Sequence, residues 1–208
     1  VIGIDPAENL VTKANEAGYI TICDFFPSEK LSEKFDVITA MNVCAHNPEP
    51  IKFLLGIKNS LEKEGVAYIQ TSQALMLNSG EFDTIYHEHY SFFTVSSMRE
   101  ACKAAGLKLL NYELVDIHGT SYIFHISHDS IVTNNLFDSG LDKEIALLNN
   151  LADDNCDEIY RDFMEKSINT MAKTRDLASS YKCKGYKIVL AGVAAKALTF
   201  YHAAKINC

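Results

Sequence analysis

The sequence has no Cys-x-x-Cys pair, no basic run and no apolar stretch approaching a membrane span, and each absence removes a class of function. Its six cysteines (Cys23, Cys44, Cys102, Cys156, Cys183, Cys208) are scattered, which speaks against a zinc knuckle and a disulfide framework alike. They read as reduced thiols of a cytoplasmic protein, most of them small core residues. Crossing a bilayer takes about 20 apolar residues in a row, so no membrane partner is expected. Lys and Arg number 19 against 27 Asp and Glu, a formal charge of -8. With nothing to neutralise phosphates, nucleic acid is an unfavourable partner and a small-molecule substrate a favourable one. Repeats and low-complexity tracts are also missing, and no signal peptide is expected. The first residue is Val1, already inside a strand-like run, and a fragment shortened at its front and back is the expectation.

What remains is ordinary globular material: 208 residues, 48% of them hydrophobic, enough for one full domain and part of another. Apolar patterning predicts strands at Val1–Asp5, Tyr19–Cys23, Phe35–Val43 and Val66–Thr71. Helices fall between them, one opened by Asp5-Pro6 and stopped by Gly18, another over Pro48–Lys63 stopped by Gly65. In the first helix Asp5 reads as the N-cap, with Glu8 three residues on as in a capping box. Strand and helix in alternation imply an α/β fold with a parallel sheet. Val95–Ala105 is then helical, and Leu107–Val115 and Ser121–Ser127 pair as a hairpin with no helix between them. A parallel sheet closed by an antiparallel strand is similar to the class I methyltransferase fold, here a Rossmann-like sheet without its first strand. The predicted domains are 1–128, a linker with charged helices over 129–184, and the start of a second Rossmann-like domain over 185–208. That last unit would begin with a strand at Gly185–Leu190 and a helix from about Ala194.

The segment Gly80 to Phe93 stands apart from this pattern. Tyr86, His87, Glu88, His89 and Tyr90 put five proton-transfer or hydrogen-bonding side chains in a row between apolar flanks. Imidazole titrates nearest neutral pH, and a neighbouring carboxylate can fix its tautomer or raise its basicity. Glu88 beside His89 supplies such a pair only where the backbone is irregular, because neighbours on a strand face opposite ways. Asn78, Ser79 and Gly80 permit that irregularity.

Two acids carry the cofactor signal. A carboxylate at the end of the second strand of a nucleotide-binding sheet accepts ribose hydroxyls, and Asp5 has that place if one strand lies upstream; as a plain N-cap it would serve equally well. Asp24, at the end of the next strand, suits an adenine amino group, with Phe25 or Phe26 to pack the ring. Two acids separated by a helix favour S-adenosylmethionine over a nicotinamide cofactor. His46, beyond the third strand, reads either as lining of the cofactor pocket or as a structural residue.

Four groups of residues resemble the sugar C-methyltransferases of deoxysugar biosynthesis, which include ketosugar 3-C-methyltransferases. They are Asp5-Pro6-Ala7-Glu8-Asn9-Leu10, Asp24-Phe25-Phe26, Phe35-Asp36-Val37-Ile38 with Asn42-Val43-Cys44-Ala45-His46, and above all Phe82-Asp83-Thr84-Ile85-Tyr86-His87-Glu88-His89-Tyr90. Ile117-His118-Gly119-Thr120-Ser121 is similar to the family's His-Gly-Gly-Ser turn, with Thr120 in place of a glycine. Ala191-Gly192-Val193-Ala194-Ala195-Lys196 resembles its Gly-Ala-x-Ala-Lys turn. The resemblance implies a transferase that binds S-adenosylmethionine through Asp5, Pro6, Asp24, Phe25, Asn42 and Val43. It implies a nucleotide-sugar substrate held by His87, Tyr90, His118 and Lys196. It also implies zinc, but only in a further N-terminal domain, with no metal in the catalytic step.

On this reading His89 removes a proton next to a ketone, Glu88 orients it or shares the work, and Tyr86 and His118 hydrogen-bond the enolate oxygen. Alternatives stay open at this level. They are an O- or N-methyltransferase on the same fold, an NAD-dependent oxidoreductase, and a nucleotide-sugar or cofactor-binding module without turnover. Oligomeric state carries no signal in the sequence.

Overall fold

The computed structural model describes residues 1–71, 76–131, 156–192 and 194–206. Gln73, Val193, most of the expected 129–140 linker and the first part of the expected charged helices lie outside them. Strand β1 (Ile2–Asp5), helix α1 (Glu8–Glu16) and strand β2 (Ile20–Cys23) form one strand–helix–strand unit, with β1 parallel to β2 and Asp5 opposite Cys23. Gly18 ends α1 in the left-handed conformation at φ +89°, where a side chain would be strained. The start of α1 differs from the sequence reading. Ala7 is the N-cap, and the Asp5 carboxylate accepts the Ala7 N–H at 2.8 Å instead of reaching into the helix. Pro6 has no N–H to offer, so the carboxylate closes a turn across it.

The second sheet has four strands: β3 (Phe35–Met41), β4 (Leu61–Thr71), β5 (Leu107–Val115) and β6 (Ser121–His128), in the order β3-β4-β6-β5. β3 and β4 are parallel, and β6 runs antiparallel to both β4 and β5, the predicted terminal hairpin. β4 starts at Leu61, five residues earlier than the pattern suggests, and α2 (Pro50–Ser60) ends correspondingly sooner. The reason is a bulge. Pairing jumps from Phe35–Leu61 to Val37–Val66, and Gly65 lies so close to the Phe35 and Asp36 carbonyls that a Cβ would sit 2.9 Å from each.

Helices α2 and α4 (Val95–Ala104) cover one face of this sheet. Phe53, Leu54 and Ile57 recur at helical spacing and interlock with Ala67, Ile69, Phe124 and Ile126 of the strands. Met98 and Cys102 of α4 and Cys44 complete the same core, and burial pushes both thiols up to about 12. Between α2 and α4, the short helix α3 (Met76–Ser79) leads into the Gly80–Phe93 segment.

Among the described residues no ladder joins β1 to β3. The space between them is a cavity of about 510 Å³ lined by Ile2, Ile4, Phe35, Val37, Phe53 and Ile57. Beyond β6, a long helix (Cys156–Cys183) and a C-terminal helix (Ala195–Ala204) are in place. The predicted strand at Gly185–Leu190 does not form: Tyr186, Val189 and Leu190 are exposed and pair with no strand. An apolar run becomes a strand only when a neighbouring edge satisfies its backbone, and none of the described strands lies alongside.

Candidate active site

The Gly80–Phe93 segment is irregular, as its chemistry requires. Gly80, at φ +73°, turns the chain out of α3, a 3₁₀ turn spans Phe82–Thr84, and Tyr86 to His89 close a tighter turn through His89 N–H donating to the Tyr86 carbonyl. Its far end is anchored twice to one acceptor: the N–H groups of Tyr90 and Ser91 both donate to the Ala45 carbonyl, at 2.9 and 3.3 Å. The segment is therefore held between β4 and the short Cys44–His46 helix that follows β3.

His89 is the one residue of the Tyr-His-Glu-His-Tyr run that is buried, at 8% exposure. Its Nδ1 lies 2.7 Å from the Thr84 carbonyl, which can only accept, so Nδ1 carries the ring proton. Nε2 is then the free lone pair, and it accepts from the Tyr86 hydroxyl at 3.1 Å. Burial lowers the His89 pKa below its ordinary 6.5; the Thr84 bond and Glu88 oppose the shift, and His46 and Lys196 add to it. Burial likewise raises Tyr86, with Glu88 assisting. The result is a neutral imidazole of defined tautomer beside a protonated phenol. His46 stands edge-on to His89, ring centroids 4.8 Å apart, and Phe92 closes another side at 6.0 Å.

Glu88 does not orient His89. Its side chain is exposed and faces His87, itself exposed, at 3.9 Å, and the orienting acceptor is the Thr84 carbonyl. Tyr90 also points outward. Of the residues expected to hold substrate, His118 and Lys196 come together: the Lys196 ammonium donates to the His118 carbonyl at 3.1 Å and pairs with Glu81 at 3.7 Å. His118 is an exposed residue in the left-handed conformation, φ 54°, at the tip of the β5–β6 turn. That turn is tied to the sheet by Gln70, whose amide donates to Ser121, while Ser121 donates to the Ile117 carbonyl.

The expected cofactor residues line the carboxyl ends of parallel strands. Asp5 ends β1 and Asp24 follows β2, and the Asp24 N–H donates to the Asp5 carbonyl at 3.2 Å, so the two acids are neighbours. One Asp5 oxygen is used by Ala7; Asp24 is turned into its own loop, accepting from Ser28, from the Phe25 N–H and from Lys30. The Ser28 bond leads the causes that lower the Asp24 pKa. Phe25 is 73% exposed, a free ring on the same edge, and Pro6 lies in the turn after Asp5. Across the cavity, Asn42 follows β3 in the left-handed conformation, φ 55°, with its Oδ1 buried and without a partner among the described residues; exposed Val43 is next to it. Asp5 and Asn42 thus offer acceptors at the ends of β1 and β3, with the open Phe25 ring on the edge that carries Asp5. Among the described residues no group of three His, Cys, Asp or Glu could hold a metal, and no helix is long and apolar enough to cross a membrane.

Comparison with known proteins gives the family. The family described as "Methyltransferase domain" matches residues 1–112. The chain belongs to the methyltransferase-domain family. The methyltransferase domain is 30% identical over 130 residues to the C-methyltransferase NovU of Streptomyces niveus, covering 59% of this chain and 31% of the relative. It is 34% identical over 83 residues to the ubiquinone biosynthesis O-methyltransferase of Glaesserella parasuis serovar 5, covering 34% of this chain and 35% of that one. The chain thus spans about a third of the length of the curated relatives it matches. Among solved structures, a methyltransferase in complex with the Haloferax volcanii Trm112 activator superposes with TM-score 0.51 at 15% identity, over 61% of this chain and 71% of that one. LepI in complex with SAM gives 0.50 at 13%, over 62% and 36%. At such identities these agree with the methyltransferase domain in fold, a class I sheet with flanking helices.

The sequence offered no signal for Thr84, which acts through its backbone, or for Glu81, which lies just outside the histidine run and is 115 positions from its partner. His46 was visible, but its edge-on approach to His89 was not.

Proposed function

We propose that this methyltransferase domain serves an S-adenosylmethionine-dependent C-methyltransferase acting on a carbon next to the ketone of a nucleotide-linked sugar. The observation that carries the reading is His89: buried, neutral, its tautomer set by Thr84 and its Nε2 lone pair covered only by the mobile proton of Tyr86. Such an imidazole is a poised base, and a positioned base contributes about 10² to 10⁴ in rate. The 30% identity to a protein named a C-methyltransferase supports carbon as the acceptor.

S-adenosylmethionine supplies an electrophilic methyl on a sulfonium. Asp5 and Asn42 would hold it through its hydroxyl and amino groups at the carboxyl ends of β1 and β3, with Phe25 against the adenine. When a ketone enters beside Tyr86, the phenol turns its hydrogen bond from Nε2 to the carbonyl oxygen. That frees Nε2 to take the proton from the neighbouring carbon. The C–H electron pair moves into the enolate, whose oxygen Tyr86 stabilises, with His118 as a second donor from the β5–β6 turn. The enolate carbon then bonds to the methyl as the carbon–sulfur bond breaks, and the ketone reforms. A donor aimed at a developing oxyanion contributes roughly 10² to 10³. Burial of His89 keeps water from competing for the proton.

The similarity to an O-methyltransferase supports a second reading, in which His89 deprotonates a hydroxyl. One experiment separates the two. Titration of the full protein with S-adenosylhomocysteine, repeated on Asp5→Ala, tests the cofactor edge. Incubation with ketosugar nucleotides and methyl-labelled S-adenosylmethionine, read by ¹³C NMR, then locates the methyl. A methyl on carbon, lost in His89→Ala, is expected. A methyl on oxygen would overturn the carbon assignment, and no affinity for the homocysteine product would overturn the reading altogether.

A further inference from the structure

We propose that Glu81 and Lys196 are positioning residues for His89: an ion pair that seats the C-terminal helix and the β5–β6 turn on the catalytic segment and fixes where the Lys196 ammonium stands relative to the imidazole. The proposal rests on the reading of His89 as the base. It starts from the helix Ala195–Ala204, which is far away in sequence but lies against the segment. Lys196 and Phe200 are four residues apart and share one face of that helix. They grip consecutive residues. Lys196 pairs with Glu81 at 3.7 Å, and Phe200 stacks on Phe82 with ring centroids 5.4 Å apart and planes at 29°.

The grip reaches a third element. Lys196 also donates to the His118 carbonyl, and Gly119, at φ +91°, lies against the Glu81 carboxylate so closely that a side chain there would strike it. The other Glu81 oxygen accepts from Ser79 at 2.8 Å, fixing the carboxylate from within the segment. One pair therefore ties together three pieces: the segment that carries His89, the turn that carries His118, and the C-terminal helix. Both side chains are about three-quarters covered, 27% and 22% exposed. Ion pairs with this much water access add little to stability, so their value lies in geometry and field.

The field is specific. The charges that reach the His89 ring are His46 from the helix after β3, Glu88 from the segment and Lys196 from the C-terminal helix; Tyr86 faces it as a neutral phenol and His87 points to solvent. Lys196 disfavours the protonated base, and Glu81 holds the ammonium in the place from which it does so.

The test is a histidine-selective NMR titration of His89 in the full protein, with Glu81→Gln, Lys196→Met and the double variant. Lys196→Met is expected to raise the His89 midpoint by roughly 0.3 to 1 unit, the effect of one charge beyond contact distance in a partly wet site, and Glu81→Gln, which releases the ammonium, to raise it part of the way. The double variant should match Lys196→Met, because Glu81 acts through the ammonium. Amide exchange over 195–204 should quicken in both single variants. A double variant that moves beyond Lys196→Met, or no movement in either single variant, overturns the pairing. If Glu81→Gln does not fold, Lys196→Met decides by itself: an unchanged midpoint overturns the proposal. The titration needs no substrate. Midpoints that shift as expected in a protein that methylates no ketosugar would leave the pair standing and remove the proposed function. Methylation with unmoved midpoints would remove the pair alone.

Discussion

The β1–β2 arm and the four-stranded sheet are built from the same strand–helix alternation, yet they end in opposite states. No residue of β1 or β2 is buried, whereas Leu61, Ala67, Ile69, Phe124 and Ile126 of the larger sheet are sealed. The difference is neighbours. β4 has strands on both sides and α2 with α4 above it, while β1 has β2 on one edge and the 510 Å³ cavity on the other. Burial belongs to the company a strand keeps. On the proposed function the packed half holds the base, His89, and the open half presents the acids proposed for the cofactor, Asp5 and Asp24.

The sharpest contrast should come from His89→Ala, which is expected to cut methyl transfer by about 10² to 10⁴ while S-adenosylhomocysteine affinity, a property of the open half, stays put. Parallel loss of both, in a variant that melts like the wild type, would break the division. In the packed half, Phe53→Ala should cost roughly 3–5 kcal/mol in urea unfolding, as a fully buried ring does. Ile4→Ala across the cavity should cost about 1 kcal/mol, because its side chain is already half open. Equal costs would mean that the arm is packed in solution. Asp5→Ala should weaken S-adenosylhomocysteine by about 10- to 100-fold, the loss of one hydrogen bond to a charged acceptor, with little change in unfolding midpoint. A large stability loss instead would make Asp5 chiefly the acceptor of the Ala7 N–H.

The smallest effect is a slope. His89 titrates below 6.5 in the fold because burial disfavours its charge. As pH falls through about 6.5 the unfolded ring binds its proton first, so stability present above that value declines toward the folded midpoint. His89→Asn should remove this part of the slope between pH 6.5 and the folded midpoint, and an unchanged slope would place the titration elsewhere.

Much of the fold could be read from local signals: Gly18 closing α1, a helix within Pro48–Lys63, and the hairpin without an intervening helix. The misreadings share a cause. Leu61 fits the apolar stripe of α2, but the Phe35 ladder claims it for β4, and Gly185–Leu190 has strand composition without an edge to join. Asp5 has the chemistry of an N-cap, but Pro6 moves the helix start beyond its reach. At the site, the histidine run identified itself by composition, and its irregular backbone was deducible from Gly80. The division of labour within it was not. Glu88 is next to His89 in sequence and turned away in space, and the group that orients the ring is a carbonyl that every residue possesses.

The two thiols that are sealed among the described residues give the packed half a clock of its own. Cys44 is next to Ala45, whose carbonyl anchors the catalytic segment, and Cys102 lies under it on α4; both are held as thiols well above neutral pH. Exposed Cys23 and Cys183 will take up a thiol reagent at once, while Cys44 and Cys102 react only when the wall behind His89 opens. The lag between the two phases times the breathing of that wall, residue by residue, in a protein that has not been altered at all.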